Sequence, residues 1–369
     1  MTSKAKKLVL ICTGLGNVSR GFETYIQDLA NVVCNEPTLY KHNVTVLSSG
    51  KANVGLAKQV VIPCIRRSST IWSKKTSFKR RFFVEQFTFF LGMLYFIFRN
   101  RYAVFYMGEY NLYCYLFKFR KIFRLQYHLV LYTGGQVFPG LFDPKKDYIH
   151  HVTDVYYKPN DINYPIDRQF IIPHFLQEDY CFDSNLFFSL KEKAKNKKIF
   201  LSVGVIDGST KQMDLLVRYL SPYSNEVFLI MLGDESEESL QVKNEASRCF
   251  GSDGFIVNKV DRRLLHTYYS AADCFILLSP KESFGLAYLE AMLRGKTVIA
   301  RGFHETKYVL KDTAWLIEND NELPKLLERV IADSMSAYCS VDKHSFVSET
   351  YTWTALRPLY LDMFSKVCA

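Results

Sequence analysis

Two stretches, "KKLVLICTGLGNVSRGFETYIQDLA" (Lys6–Ala30) and "NKKIFLSVGVIDGSTKQMDLLVRYL" (Asn196–Leu220), repeat one pattern at a distance of about 190 residues. Each sets basic residues before a short apolar run, then a glycine-bearing loop, then apolar residues at helical spacing. A short continuous apolar run fits a strand covered on both faces, the habit of parallel sheets. Each stretch opens a long alternation of such runs with helical patterns. The reading is two doubly wound, Rossmann-like α/β domains facing a central cleft. The first takes residues 1–176 and the second 177–350, with a seam near "FIIPHFLQEDYCFDS". Residues 351–369, "YTWTALRPLYLDMFSKV" and its end, form a closing helix with Trp353, Leu356, Leu359 and Tyr360 on one side.

Further strands are expected at Val44–Leu47, Ala103–Met107, His128–Tyr132 and Tyr148–Val152. In the second half they are expected at Val227–Leu232, Gly254–Val257, Asp273–Leu278 and Thr297–Ala300. A chain of 369 residues with 48% hydrophobic content suits two domains with ample core. The formal net charge of +10 is uneven. Residues 1–180 carry about +12 and the remainder about −2, an asymmetry that points to a surface partner. The apolar run Leu8–Cys12 is too short for a secretory signal, and the nine cysteines show no C-x-x-C pair or zinc spacing. A reduced, cytoplasmic protein without structural metal is expected.

One segment, "FFVEQFTFFLGMLYFIF" (Phe82–Phe98), is long, aromatic and flanked by Lys79, Arg80, Arg81, Arg99 and Arg101. It is short for a spanning helix and contains Glu85, Gln86 and Thr88. A half-buried helix explains it best, with an interfacial helix next.

The chemistry concentrates in "SPKESFGLAYLEAMLRGKTVIA" (Ser279–Ala300). Glu282 and Glu290 bracket a glycine-opened helix that follows an apolar strand. Such a helix start leaves backbone N–H groups and the positive dipole end facing a ligand, which suits a diphosphate. Eight residues of helix rise about 12 Å, roughly the reach from a sugar across two phosphates to a ribose. Carboxylates at both ends would accept from vicinal hydroxyls. On spacing alone, a capping acid and a solvated helix glutamate explain the pair equally well. Lys211, after the second domain's first strand, is a cation placed for the same diphosphate, although by itself it reads as a solvated loop lysine. Gly14 and Gly16, with Arg20 to Glu23 behind them, hold the matching loop of the first domain.

In these residues the chain resembles the retaining glycosyltransferases of family 4, with GT-B architecture. The resemblance rests on "GLGNVSRGFE", "VGVIDGSTKQMDLL", "YYSAADCFILLSPKESFGLAYLEAMLRGKTVIA" and the closing "YTWTALRPLYLDMF", of which the third is the specific one. It implies that Glu282 holds donor-sugar hydroxyls, Glu290 the ribose, and Lys211 the departing diphosphate. It implies that backbone amides at Phe284, Gly285 and Leu286 bind phosphate and sugar. Gly14 and Gly16 would close over the donor, beside Gly204, and the final helix would pack on the first domain. Two departures stand out. Val205 follows Gly204 where many relatives have arginine, and "LVLYTGGQVFPG" offers Gly134, Gly135 and Gln136 where many have a histidine. His128, His150, His151 and His174 are read as structural.

The implied reaction is retaining transfer of a hexose-type sugar from a UDP- or GDP-sugar to a hydroxyl of a glycan or lipid-linked acceptor, in polysaccharide or glycoconjugate biosynthesis. The nucleotide sugar is a substrate, no cofactor is implied, and with no Asp-x-Asp pattern no metal is called for. Arg20, Glu109, Gly134, Gly135 and Gln136 are the acceptor-side candidates, with a plain surface acid the simpler reading of Glu109. Basic clusters at Lys74–Arg81 and Lys118–Arg124, interleaved with Phe and Tyr, suit docking on an anionic membrane from the cytoplasmic side. No nucleic-acid module is visible. A nicotinamide-dependent oxidoreductase fits poorly, because Ser19 holds the third glycine position of "GLGNVS" and "NVTVLSS" lacks the ribose-binding acid. A sugar-nucleotide epimerase, or a binding protein of this fold without turnover, remains as an alternative.

Overall fold

The structure is a computed structural model that describes residues 6–18, 21–40, 43–73, 76–135, 140–159, 161–178, 181–332 and 342–369. The chain falls into two compact units. One is Met1–Pro173 with Arg357–Ala369, the other His174–Leu356. The boundaries expected at 176/177 and 350/351 lie a few residues from these divisions.

The first unit is built on seven parallel strands: Leu8–Cys12 (β1), Thr45–Ser48 (β2), Lys58–Val61 (β3), Val104–Met107 (β4), His128–Thr133 (β5), Asp147–His151 (β6) and Gln169–Ile171 (β7). Their order is β3-β2-β1-β4-β5-β6-β7. The chain builds outward from β1 in one direction, then returns to lay β4 on its other side. Every residue of β1 is buried, as helices on both faces require. The second unit carries six: Lys198–Val203 (β8), Val227–Leu232 (β9), Phe255–Asn258 (β10), Cys274–Leu277 (β11), Thr297–Arg301 (β12) and Trp315–Ile317 (β13), in the order β10-β9-β8-β11-β12-β13. The switch falls between β8 and β11, which are paired directly. Strands β3 and β13 are not among those expected from sequence, whereas β7 lies where the apolar residues before Pro173 place the last strand of the first half. All three are edge or near-edge pieces of three or four residues, and Lys58–Val61 alternates neither cleanly nor deeply.

The aromatic segment departs from a single long helix. It forms two helices, Phe78–Gly92 and Leu94–Arg99, broken at Met93. Glu85, which interrupts the apolar run, is fully buried and takes the Arg67 guanidinium at 2.5 Å and the Arg67 backbone N–H at 2.9 Å. Among the described residues no helix is long and apolar enough to cross a membrane.

The closing helix runs Trp353–Cys368. Its buried side is Leu356, Tyr360, Met363, Phe364 and Val367, and Leu359, expected on that side, is 48% exposed. Within the first unit Tyr360 belongs to a buried polar chain. The His150 ring accepts from the Tyr106 hydroxyl at 2.7 Å and donates through Nε2 to the Ile172 carbonyl at 2.7 Å. Tyr25 lies 2.8 Å from Tyr106 and donates to Tyr360, which donates to the Pro173 carbonyl at 2.9 Å. Burial pushes the His150 pKa down to about 3, so its ring is neutral and Nδ1 is the acceptor facing Tyr106.

Candidate functional site

In the second unit the loop after β8 places Lys211. Gly204 ends the strand, and a Cβ there would stand 3.1 Å from the Lys211 side chain, so the lysine stem lies along the glycine. Asp207 then organises the turn, accepting from the N–H groups of Thr210 at 3.0 Å and Lys211 at 2.6 Å, and from the Thr210 hydroxyl. An aspartate that captures backbone three and four residues on makes a compact turn without helix. Gln212 follows in the left-handed region at φ 50° and starts the helix Met213–Leu220. The result aims the Lys211 ammonium at the loop after β11, where it pairs with the Glu282 carboxylate. Their side chains are 22% and 13% exposed. The two functional residues expected from separate motifs are therefore in direct contact.

Glycines hold this geometry. Gly233, which ends β9, sits so close to Gly204 that a Cβ would lie 1.6 Å from the Gly204 carbonyl oxygen. Gly285 has φ +84°, and a Cβ there would meet the Tyr288 ring at 2.4 Å. It caps a short helix, Leu286–Met292. The glycine-opened helix read from the sequence thus begins at Leu286, capped by Gly285. Phe284 precedes the helix, and its ring is buried against His174 (centroids 4.9 Å apart) and Tyr351 (5.8 Å). Its side chain anchors the loop while its backbone belongs to the capping turn. Leu286 is the first helical residue. Glu290 follows on that helix, with one oxygen accepting from the Tyr269 hydroxyl at 2.8 Å. Burial first, and the neighbouring Glu290 second, push the Tyr269 pKa well up, so the phenol stays a donor.

Sequence reasoning missed Arg301. Its guanidinium donates to the Leu278 carbonyl at 2.9 Å, to both oxygens of Asp320, and to the Gln212 side chain at 3.0 Å. It thereby ties the ends of β11 and β12 to the residue next to Lys211. The signal available was its place at the carboxyl end of a strand beside the switch point. Asp207, Gly233 and Tyr269 were missed for the same reason: each acts through another residue and carries no motif of its own.

In the first unit, Gly14 lies over a buried charged cluster. A Cβ there would stand 2.1 Å from Glu23 Oε1 and 2.7 Å from the Arg67 guanidinium. Gly16 turns against Gly50, where a Cβ would lie 2.5 Å from backbone. Glu109 does not project outward as expected. It is 6% exposed and turned inward onto Thr13, whose backbone N–H donates at 2.8 Å and whose hydroxyl also donates. Burial pushes its pKa up to about 7, against the opposing pull of those hydrogen bonds. Gly134 and Gly135 follow β5 and are half-buried, with the Gly135 N–H bonded to Thr133. Arg20, Gln136 and Lys74 lie outside the described residues. Of the four histidines, His150, His151 and His174 are buried and His128 half-buried.

The glutamate helix and the Lys211 turn both lie in a stretch with known counterparts. Residues 184–342 match the family described as glycosyl transferases group 1, so the second unit carries a glycosyltransferase domain. A stretch of 106 residues is 35% identical to a D-inositol 3-phosphate glycosyltransferase of Xylanimonas cellulosilytica, covering 28% of this chain and 25% of that protein. The chain thus matches about a quarter of that relative's length. In fold, a sucrose-phosphate synthase from Thermosynechococcus elongatus superimposes over 98% of this chain and 100% of its own, with TM-score 0.76 and 14% identity. Anabaena HepE, solved in complex with UDP and glucose, covers 98% of this chain and 100% of its own, with TM-score 0.74 and 13% identity. Two parallel Rossmann-like sheets with such neighbours make this the GT-B type of fold.

Proposed function

We propose that the chain is a retaining glycosyltransferase of the family 4 kind, moving a hexose-type sugar from a nucleoside diphosphate sugar to a hydroxyl of a glycan or lipid-linked acceptor. The observation that carries the reading is the contact of Lys211 with Glu282. It joins the carboxyl ends of two neighbouring strands at the sheet's switch point, where α/β sheets take ligands, inside a domain of glycosyltransferase type.

In this reading Glu282 grips donor hydroxyls and Glu290, set by Tyr269, takes the ribose. Lys211 turns from Glu282 to the diphosphate as charge grows there. The bond from the anomeric carbon to the phosphate oxygen breaks, and a bond to the acceptor oxygen forms on the same face. The acceptor proton passes to the leaving phosphate. Preorganised positive charge at the developing anion is the main catalytic contribution. Charge neutralisation is assigned to Lys211 and helix-start amides without a divalent metal. Gly134 and Gly135 remain the acceptor-side proposal, through their backbone. Glu109, enclosed on Thr13, does not.

A nucleotide-sugar-binding protein without turnover is the second reading, favoured by Val205 and the Gly134–Gly135 pair standing where an arginine and a histidine are usual. The deciding experiment is a thermal-shift panel of UDP- and GDP-sugars, since a ligand of the folded state raises the melting temperature. UDP-sugars come first, because HepE was solved with UDP. The binding donor is then tested for hydrolysis and transfer, with and without EDTA. Stabilisation with turnover supports the transferase; stabilisation alone supports the second reading; no stabilisation by any donor overturns both.

A further inference from the structure

One face of the first unit carries more apolar surface than its core needs. On the helix Phe78–Gly92, the residues Phe83, Phe87 and Leu91 follow each other at four-residue spacing and are 49%, 42% and 47% exposed. Residues at that spacing share one side of a helix. The opposite side holds Glu85, Gln86, Phe89 and Phe90, all buried.

The exposed stripe is continuous with its neighbours. Phe83 and Phe87 both meet the Tyr115 ring edge-on, on the helix Tyr110–Phe123. Phe98 packs against Phe119 and Phe123, at centroid distances of 5.7 and 6.0 Å. Phe90 links the two groups through Tyr115 and Phe119. Three helices thus present one aromatic ridge. Its free edges include Tyr95, Phe98, Ile122 and Phe123, each well exposed. Contiguous exposed apolar surface of this kind marks an interaction site.

The exposed charges carried by these helices and the chain between them have one sign. From Phe78 to Arg124 the acids are Glu85 and Glu109, and both are buried. The exposed ionisable residues of this stretch include Arg80, Arg99, Arg101, Lys118, Lys121 and Arg124. Arg120 is buried, paired with Asp147 at 2.5 Å, and does not contribute. A cationic edge suits an anionic partner. An apolar ridge on helices whose described exposed charges are cations, and which are too short to span, has the build of an interfacial element.

We propose that this face seats in an anionic lipid bilayer, with the aromatic ridge at the acyl boundary and the arginines and lysines on headgroup phosphates. Attraction supplied by cations decays within a Debye length, while the apolar part does not depend on salt. The two contributions can therefore be separated. The inference stands on this surface alone and needs no sugar donor, so it succeeds or fails apart from the transferase reading.

The test is sedimentation of the full chain with vesicles of phosphatidylcholine alone and of phosphatidylcholine containing phosphatidylserine. Wild-type protein is expected on the anionic vesicles and not on the neutral ones. Lys118→Gln with Lys121→Gln lowers the partition coefficient about fivefold per residue removed. The triple change Phe83→Ser, Phe87→Ser, Leu91→Ser weakens binding more than about tenfold and leaves a remnant that high salt abolishes. These side chains are about half exposed, with Phe83 and Phe87 on Tyr115, so a modest fall in melting temperature with unchanged circular dichroism is expected. As a second measurement, Phe87→Trp gains a blue-shifted emission on anionic vesicles, quenched by brominated acyl chains. Failure to bind anionic vesicles at low salt overturns the proposal. So does a triple variant that binds like wild type, or single-stranded RNA displacing the protein from vesicles with the tryptophan remaining solvent-exposed.

Discussion

The Lys211 ammonium and the Glu282 carboxylate meet across the ends of β8 and β11, although 71 positions separate them in sequence. Each is partly shielded from water, so truncating one leaves the other poorly compensated. Lys211→Ala and Glu282→Ala are each expected to lower kcat/KM for the donor by about a hundredfold or more. The double variant should fall well short of the product of the two losses, because contacting residues are not independent. Steady-state kinetics on all three variants checks this; near wild-type turnover in either single variant would sink the site assignment.

Tyr269→Phe removes only the hydroxyl that holds one Glu290 oxygen. If Glu290 serves the ribose and not the chemistry, donor KM rises several-fold with kcat nearly unchanged, the pattern for lost uniform binding. An equal fall in kcat and kcat/KM would place Glu290 in the transition state instead.

Gly285→Ala forces a Cβ into the Tyr288 ring at a backbone angle that L-residues avoid. A loss on the order of 1–3 kcal/mol is expected, seen as a lower melting temperature of the second unit. An unchanged melting temperature would show that the capping turn can relax.

Glu109 gives a signed dependence on pH. Its folded-state pKa is raised to about 7 from an ordinary value near 4.5, chiefly by burial. The stabilisation tied to its proton is complete below the unfolded value and is lost as pH climbs through 7. The histidines act oppositely: His151 and His128 are each lowered to about 4 by burial, which costs stability as pH falls below their unfolded value of 6.5. The Glu109 contribution is therefore read as a difference. Between pH 5 and 7 the melting temperature of wild type minus Glu109→Gln should fall steadily. A flat difference would mean that Glu109 ionises freely in the folded protein.

The two echoing segments made the architecture legible, because buried parallel strands are written as unbroken apolar runs. Eight further strands follow from the same signal to within one or two residues. The edge pieces β3 and β13 did not announce themselves: Lys58–Val61 is half solvated with no apolar run, and Trp315–Ile317 is only three residues long. Of the candidate site, the sequence offered Glu282 and Lys211 separately, and the fold brings them into contact. The site was illegible where a residue acts by holding another. Arg301 reads as a basic residue after a strand, and only the fold reveals that it grips Gln212 and Asp320 together. Glu109 was misjudged for a related reason. A carboxylate after a strand near the switch point looks ligand-facing, unless one knows that Thr13 stands opposite and that Arg67 lies in the cluster beneath.

The tyrosine chain that ends on Pro173 has a consequence for biosynthesis. Tyr360, Met363 and Phe364 fill the interior of the unit whose sheet is made from the first half of the chain. The lobe that leaves the ribosome first is therefore the one completed last. Until residues 357–369 emerge, its buried hydroxyl at Tyr25 lacks its Tyr360 neighbour, and the apolar surface that Met363 and Phe364 cover stays open to water.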